Sequence, residues 1–513
     1  RAIHLRPEPR GFPRDLIKEA IMKQLTRVAL VMSLSISLGL PPAWSQPAGI
    51  PSMGSASGAE LSPNLERTLG DAIMEQGRRD PHYVAEPVIT QYLTQLGQKL
   101  AKHSPVPLHY PIQVFGMRDA SINAFALPGG YVGINTGLIT AAESESELAS
   151  VVAHEIAHVA QRHVARGMTQ NSGSNHLVLA SLVGALLAGL AGSADLAMGV
   201  ATFGQAAAVD RQLGFSRQAE QEADRVGYQM LKGAGYNPEG MAVMFKRLMQ
   251  SARLNESGQS YATTHPLSAQ RLADVENRLM SSSAATAYSE SDDFWFVQAA
   301  ALALQATSGS ALQSLQQRFQ SLASNRSGAA QAAALYGLAY IAKNRKNYTQ
   351  AQQYLNQAQQ LHVGSPLLDV LQIELEIDQA QFAKALSTAQ SAWQRWPQNQ
   401  AVALGVIAAM QKQAPVSTQI DFLQQRIQQW PEEARFYQLL AQALEKNNQP
   451  IAARETMAQY YVLVGAVSSA VSQLQQARTL STDFYEQSTL DTRIRELREQ
   501  LERDRLLLER FKG

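Results

Sequence analysis

Apolar and polar residues follow two different periods along this chain. From residue 65 onward, apolar residues mostly recur every three or four positions, which is typical of amphipathic helices. Short runs at 112–117, 122–127 and 131–135 instead predict β-strands, with a Pro-Gly-Gly turn between the last two. The helices predicted around these strands lie within 65–102 (two helices separated at Asp80-Pro81), 144–166, 215–233, 238–254 and 261–280. The pattern therefore predicts a mainly α protein that begins with an α+β domain containing a small β-sheet.

From residue 294 onward, an Ala-, Gln- and Leu-rich helical pattern repeats every 34 residues. The matching positions are Tyr348 and Phe382, Ala351 and Ala385 (continued by Ala453), Ala358 and Ala392, Trp396 and Trp430, and Pro397 and Pro431. A helix-turn-helix unit of this length, with small residues where its helices touch, is typical of tetratricopeptide repeats. Such repeats stack into an α-solenoid whose concave face can hold a peptide or a partner protein. Residues 294–325 are predicted to be a divergent first repeat and 490–511 a charged closing helix.

The start of the chain has the pattern of an exported protein. Residues 1–21 show no organised pattern and are predicted to be a mis-called upstream segment. Residues 22–45 combine a basic start, an apolar stretch and small residues before a cleavage position near Ser45, which is typical of a signal peptide. An uncleaved anchor is the alternative. Residues 46–62 are rich in Pro, Gly, Ser and Ala and are predicted to be a disordered lead-in.

Composition excludes several classes of chemistry. The 44 Lys and Arg residues nearly balance the 43 Asp and Glu residues, and no basic block stands out. Nucleic-acid binding therefore has no electrostatic support. The absence of cysteine excludes disulfides, a thiol nucleophile and a thiolate zinc site.

The segment 151–158 contains the spacing His-Glu-x-x-His within a helix-compatible run. Residues four apart lie on the same face of a helix, so His154 and His158 can bind one metal ion together. Glu155 lies beside the first histidine, where its carboxylate can take a proton from a metal-bound water. A helix with two incidental histidines is the alternative interpretation.

A catalytic zinc usually takes three protein ligands and leaves one position for water. A third histidine in the extended motif His-Glu-x-x-His-x-x-Gly-x-x-His is absent, because Val164 occupies its place and His163 is one residue out of register. A separate helix after Ser216 instead supplies Glu220 as a ligand candidate, and Asp224 on the same face can orient a ligand imidazole. Glu222 is the lesser candidate, and a merely acidic helix face is the alternative.

The chain resembles the zinc metallopeptidases of the HtpX, CAAX-prenyl-protease and Oma1 group. The resemblance rests on His-Glu-x-x-His at 154–158, on Ser-Arg-x-x-Glu-x-x-x-Asp at 216–224 and on Asn-Ala-Phe-Ala-Leu-Pro-Gly-Gly-Tyr at 123–131. It implies a zincin-like fold and one Zn²⁺ per chain, bound by His154, His158 and Glu220, with Glu155 as general base. The signal peptide and the repeats further resemble periplasmic members of this group. These imply a role in outer-membrane protein assembly and quality control, with unfolded or misassembled outer-membrane proteins and the β-barrel assembly machinery as partners.

Further residues are candidates for substrate binding or regulation. An edge strand formed by Asn123, Ala124, Phe125, Ala126 and Leu127 would pair with an extended substrate backbone; an internal hairpin strand is the alternative. His265, in a Thr-His-Pro-Leu segment, is expected to approach the metal and either hold the enzyme inactive or stabilise the oxyanion. Capping of the next helix is the simpler interpretation of His265. Arg271 either assists the site or forms a structural ion pair.

The predicted organisation is a metallopeptidase domain at 63–280, a linker at 281–293, a repeat domain at 294–480 and a C-terminal helix at 481–513. The apolar segment 177–202 is long enough to span a membrane, but it is rich in Ala and Gly and is interrupted near Asp195. We therefore predict a helical hairpin that covers the site and touches a membrane peripherally, with a true span as the alternative. The leading functional hypothesis is a periplasmic zinc endopeptidase. A repeat-scaffold chaperone with a silent or latched metal site is the alternative.

Overall fold

The computed structural model describes residues 62–170, 215–254, 261–281 and 288–509. The predictions for 1–21, the signal peptide at 22–45, nearly all of the lead-in at 46–62 and the apolar segment 177–202 lie outside these residues. Among the described residues, every helix is too short or too polar to cross a membrane.

Helices and strands are numbered in chain order over the described residues. The first part of the chain contains α1 (Pro63–Gly77), β1 (Tyr83–Val84), α2 (Pro87–Ala101), β2 (Gln113–Met117), β3 (Ala124–Leu127), β4 (Tyr131–Asn135), α3 (Thr136–Ala141), α4 (Glu145–Ala160), α5 (His163–Gln170), α6 (Arg217–Gly233), α7 (Glu239–Leu254), α8 (Tyr261–Thr264) and α9 (Ala269–Met280). The helical part that follows contains α10 (Asp293–Gln305), α11 (Gly309–Asn325), α12 (Gly328–Asn344), α13 (Tyr348–Gln360), α14 (Pro366–Asp378), α15 (Phe382–Arg395), α16 (Gln400–Gln413), α17 (Val416–Gln429), α18 (Ala434–Lys446), α19 (Pro450–Leu463), α20 (Val467–Leu480) and α21 (Phe484–Glu509).

The sheet is small and mixed, with the strand order β1-β2-β4-β3. β2 and β4 are parallel, and β3 returns antiparallel to β4 with Leu127 opposite Tyr131. The three predicted strands are present, and β1 is an addition that the two-residue stretch at 83–84 could not signal by periodicity. β3 is at once a hairpin strand and the last strand of the sheet, so its outer edge pairs with no other described strand.

The motif helix α4 is shorter than predicted. Ser144 caps its start by accepting a hydrogen bond from the backbone N–H of Glu147, and the helix ends at Ala160. Arg162 then adopts a left-handed conformation with φ of 53°, and α5 starts at His163. The guanidinium of Arg162 donates to the buried carboxylate of Glu66 at 3.0 Å, which holds this break in place. The prediction of one helix over 144–166 was therefore wrong, because a tertiary ion pair interrupts it.

α10 is shared between the two parts of the molecule. Phe294, Val297 and Ala301 pack into the core formed by the sheet and the motif helix. Phe296 and Ala299, on another face of the same helix, pack against the following helices. A boundary drawn at residue 294 therefore falls at the start of a helix that stabilises both parts.

The helical part repeats with the predicted period. The second helices of successive pairs, α13, α15, α17 and α19, begin at residues 348, 382, 416 and 450, which are 34 residues apart. Ala351, Ala385 and Ala392 are fully buried at the contacts within these pairs. Each helix packs mainly against its neighbours in sequence, as expected for a solenoid.

Candidate metal centre

Two helices from different parts of the sequence form the candidate site. α4 carries His154, Glu155 and His158, and α6 packs across it. The close approach depends on Gly227 of α6, where an added Cβ would lie 3.1 Å from the backbone nitrogen of His154. One turn earlier on the same face, α6 presents Asp224, and two turns earlier it presents Glu220. The predicted pairing of these two helices is thus the arrangement that the structure has.

The side chains of the site are buried and their donor atoms converge. His154 Nε2 lies 2.9 Å from His158 Nε2 and 3.4 Å from Glu220 Oε2. His158 Nε2 lies 3.5 Å from Glu220 Oε1. These residues are no more than 1% exposed. A group of ligand atoms lies within 4.8 Å of one another and comes from His154, His158, Glu220 and His265.

Asp224 and Arg271 lie behind this cluster. Asp224 Oδ1 is 2.9 Å from His154 Nδ1, the nitrogen that faces away from the other donor atoms. Arg271 donates to both carboxylate oxygens of Asp224 at 2.7 Å, and its Nη1 lies 2.6 Å from Glu220 Oε2. Arg271 is therefore part of a buried ion-pair network beside the cluster, and its assistance to the site stays a prediction.

The segment that follows α7 brings two aromatic side chains to the same place. His265 Nδ1 lies 2.9 Å from Glu220 Oε1, and its Nε2 lies 3.4 Å from Glu155 Oε1. Tyr261 donates a hydrogen bond to Glu155 Oε1 at 2.9 Å and stacks on the His265 ring at 4.4 Å. The helix after His265 is capped by Ser268, so capping is not the role of the histidine. The sequence pattern did not single out Tyr261, because its partner Glu155 lies 106 positions away in the sequence.

The pKa values of His154 and His158 in the cluster are shifted in opposite directions. Burial alone would lower the pKa of His154, but the carboxylates of Asp224 and Glu220 outweigh it and raise that pKa to about 9. Burial lowers the pKa of His158 well below its ordinary value. Burial opposes ionisation of Glu220, yet His265 and His154 hold the pKa of this carboxyl well below its usual range. At neutral pH the imidazole of His158 is therefore neutral and lies beside the ionised carboxylate of Glu220.

The donor set fits a divalent metal ion of the zinc type. Two imidazole nitrogens and one carboxylate oxygen form a frequent catalytic zinc ligand set, and a further open position is needed for water. Within the described residues, Glu155 Oε2 and His265 Nε2 are buried and make no hydrogen bond. Buried polar atoms without partners are costly, so these atoms suit a site that binds further polar groups.

The remaining predicted residues lie around this cluster. Asn123 precedes β3, and the side chains of Ala124, Phe125, Ala126 and Leu127 are buried. β3 contacts the motif helix α4, so the sheet edge runs beside the candidate site. Glu222 does not join the cluster; its Oε2 lies 3.3 Å from His163 Nε2.

The part of the chain that forms the candidate site matches a known protein family. The family model of peptidase family M48 matches residues 87–279. The β-barrel assembly-enhancing protease of Escherichia coli (strain K12) is 29% identical over 486 residues, which cover 94% of this chain and 98% of that protein. The metalloprotease LoiP of the same organism is 31% identical over 235 residues, covering 44% of this chain and 86% of that protein. Among solved structures, yeast Tom70 gives a TM-score of 0.27 at 11% identity, covering 69% of this chain and 84% of that one.

The family match spans strands β2 to β4, the motif helix, the α6 carboxylates and the segment of His265 and Arg271, and a relative matched over most of its length is itself a metalloprotease. The chain therefore belongs to peptidase family M48 and is a metallopeptidase.

Proposed function

We propose that this metallopeptidase is a zinc-dependent endopeptidase in which His154, His158 and Glu220 bind one zinc ion and Glu155 is the general base. The observation that carries the proposal is the convergence of buried donor atoms from α4 and α6 within 4.8 Å. When bound, zinc would lower the pKa of a water molecule and polarise the scissile carbonyl.

The other steps belong to residues of the chain. Glu155 accepts a proton from the attacking water at Oε2, the oxygen that has no hydrogen-bond partner among the described residues, and returns it to the leaving amine nitrogen. Asp224 orients His154 through Nδ1, and Arg271 holds Asp224. The outer edge of β3 pairs with an extended substrate backbone, which accepts many sequences because the contacts are made by the main chain.

Metal analysis and casein cleavage test this proposal with the wild-type chain, Glu155→Gln and Glu220→Ala side by side. We expect one zinc per wild-type chain, retained by Glu155→Gln and lost by Glu220→Ala. Both variants should lose cleavage by at least about 100-fold, because each lacks a group that the chemistry needs. Zinc binding by Glu220→Ala equal to that of the wild type would refute the ligand assignment. Full cleavage by Glu155→Gln would refute the general base.

His265 is proposed to regulate the same site. The proposal is supported by His265 Nδ1, which lies 2.9 Å from the Glu220 carboxylate, and by its Nε2, which lies 3.4 Å from Glu155 Oε1, so the ring contacts both a proposed metal ligand and the proposed general base. We expect His265→Ala to cleave casein faster than the wild type at equal zinc content, because the ring no longer closes the site. A slower variant would favour oxyanion stabilisation, and an unchanged rate would refute both roles.

The biological setting that we propose is supported by the relatives. The similarity to the β-barrel assembly-enhancing protease over nearly the whole chain supports a periplasmic role in outer-membrane β-barrel assembly. In this role the enzyme degrades unfolded or misassembled outer-membrane proteins, and its repeat domain contacts the assembly machinery. The predicted peripheral membrane contact through 177–202 belongs to the same proposal. Detection of the chain in the cytoplasmic fraction after cell fractionation would contradict this location.

The contact between His265 and Glu220 also favours a second candidate function, a chaperone in which the repeats act while His265 keeps the metal site inactive. The two functions are separated by Glu155→Gln in cells. Loss of client degradation alone indicates that both functions exist, whereas loss of every phenotype indicates a protease only.

A further inference from the structure

The break after α4 places His163 against the motif helix. In an uninterrupted helix, residues five apart lie on different faces, so His163 would point away from His158. The left-handed Arg162 redirects the backbone, and the side chain of His163 is only 2% exposed. Its Nδ1 then lies 2.9 Å from His158 Nδ1.

A second contact fixes the other side of the His163 ring. His163 Nε2 lies 3.3 Å from Glu222 Oε2 on α6, the carboxylate that points away from the donor cluster. His158, His163 and Glu222 thus form a chain of hydrogen bonds that runs outward from the candidate metal centre.

If His158 binds the metal, the donor and the acceptor of each hydrogen bond in this series are determined. His158 Nε2 faces His154 and Glu220, so it supplies the lone pair to the metal and the ring proton stays on Nδ1. His158 Nδ1–H then donates to His163 Nδ1, and His163 Nε2–H donates to the Glu222 carboxylate. Each histidine thus uses one ring nitrogen as a donor and the other as an acceptor, so all four ring nitrogens of His158 and His163 have a partner.

We propose that His163 is a positioning residue that fixes the ring orientation and tautomer of the ligand His158, and that Glu222 fixes His163. This inference rests on the proposed metal centre. In this arrangement His163 orients His158 as Asp224 orients His154, so each imidazole ligand has its own orienting partner. The arrangement also explains why His163 and Glu222 lie at the site without joining the donor group. His163 is out of register for the extended motif, and Glu222 is two residues from the ligand Glu220.

Metal affinity of the full chain tests the inference without relying on activity. Wild type, His163→Leu, His163→Asn and Glu222→Ala are stripped of metal and titrated with zinc against a chromophoric chelator. We expect the zinc Kd of His163→Leu to rise roughly 10- to 100-fold, since loss of such a partner weakens metal binding by that order. His163→Asn keeps an acceptor oxygen near the position of Nδ1 and should recover most of the affinity. Cobalt-substituted His163→Leu should show a changed visible spectrum, because the ligand ring is free to turn.

His109→Leu is the matched control, because it makes the same substitution at an exposed histidine and should bind zinc like the wild type. Wild-type zinc affinity and an unchanged cobalt spectrum in folded His163→Leu would overturn the inference. If melting curves show that His163→Leu is unfolded, the zinc affinity of Glu222→Ala is the test. A weakened affinity supports the contacts from Glu222 through His163 to His158, and an unchanged affinity overturns the inference. A wild-type chain that binds no zinc would instead refute the proposed function itself.

Discussion

At the scale of single residues, the site is a set of buried charges that stabilise one another. Arg271 is 3% exposed and pairs with Asp224 and Glu220, both of which are also buried. Paired buried charges add little net stability, but removal of one partner leaves the other without compensation. The sequence pattern singled out Arg271, but its two partners lie on α6 and reach it because α6 and α9 pack against each other.

Replacing Arg271 by Met tests this network. The variant keeps much of the side-chain volume but leaves two buried carboxylates without their cation. We expect the free energy of unfolding of the metal-free chain to fall by roughly 3 to 5 kcal/mol, measured by urea titration. Arg278→Met, at a half-buried position of the same helix, should change it by less than about 0.5 kcal/mol. Equal losses in the two variants would contradict a special role for Arg271.

At the scale of elements, packing decides where helices end and how closely they approach. The motif helix stops at Ala160 although the sequence after it remains compatible with a helix, because Arg162 pairs with Glu66 on α1. In the repeats, by contrast, successive helices begin at the predicted 34-residue spacing, since each pair needs small residues at the same positions. Local patterns therefore predicted the repeats better than the motif helix.

The buried alanines of the repeats give a test at this scale. Ala385 is fully buried where α15 packs on its neighbours, so a larger side chain must push the helices apart. We expect Ala385→Leu to lower the apparent free energy of unfolding by about 1 to 3 kcal/mol, measured by urea titration followed by circular dichroism. Ala383→Leu makes the same change at an exposed position of the same helix and should stay within about 0.5 kcal/mol of the wild type. A comparable loss in Ala383→Leu would show that burial is not the cause.

At the scale of the whole molecule, the repeats and the metallopeptidase part are packed against each other at several points. Arg78, just after α1, donates to the backbone carbonyl of Leu463 at 2.9 Å, and Gln91 of α2 donates to the carbonyl of Gln398 at 2.7 Å. α1 also contacts the last helix, α21. Because α10 belongs to both cores, we expect the two parts to influence each other's stability.

Glu75 on α1 makes this contact sensitive to pH. Burial, followed by the nearby carboxylates of Asp504 on α21 and Asp71, raises the pKa of Glu75 from 4.5 to about 7. The folded protein therefore favours the protonated form, so the contribution of Glu75 to stability is complete below pH 4.5 and is lost as the pH rises through about 7.

Glu75→Gln tests this pH dependence, because the amide stays neutral. One pKa unit corresponds to about 1.4 kcal/mol, and partial exposure of Glu75 reduces the effect, so we expect the variant to be more stable than the wild type by about 1 to 2 kcal/mol near pH 8. The difference should shrink near pH 5, as followed by urea titration at both values. Glu239→Gln, at an exposed position, should match the wild type at both. A constant difference for Glu75→Gln would show that ionisation is not responsible.

The sequence by itself determined the elements whose signals are local or periodic. Histidines four residues apart must share a helix face, and a 34-residue repeat of small residues must form stacked helix pairs. These patterns predicted the fold class, the motif side chains and the α6 carboxylates. The three strands, of which the last two flank the Pro-Gly-Gly turn, were likewise predicted from short local runs.

Only the tertiary structure decided which side chains meet across elements. Tyr261 on Glu155, His163 between His158 and Glu222, and Arg271 between two carboxylates are contacts between residues that no local period relates. The end of the motif helix and the double role of α10 have the same origin, because each depends on a partner distant in sequence. Local periodicity is set by backbone geometry, whereas these contacts arise from the way whole elements pack, and packing is specified by the chain as a whole.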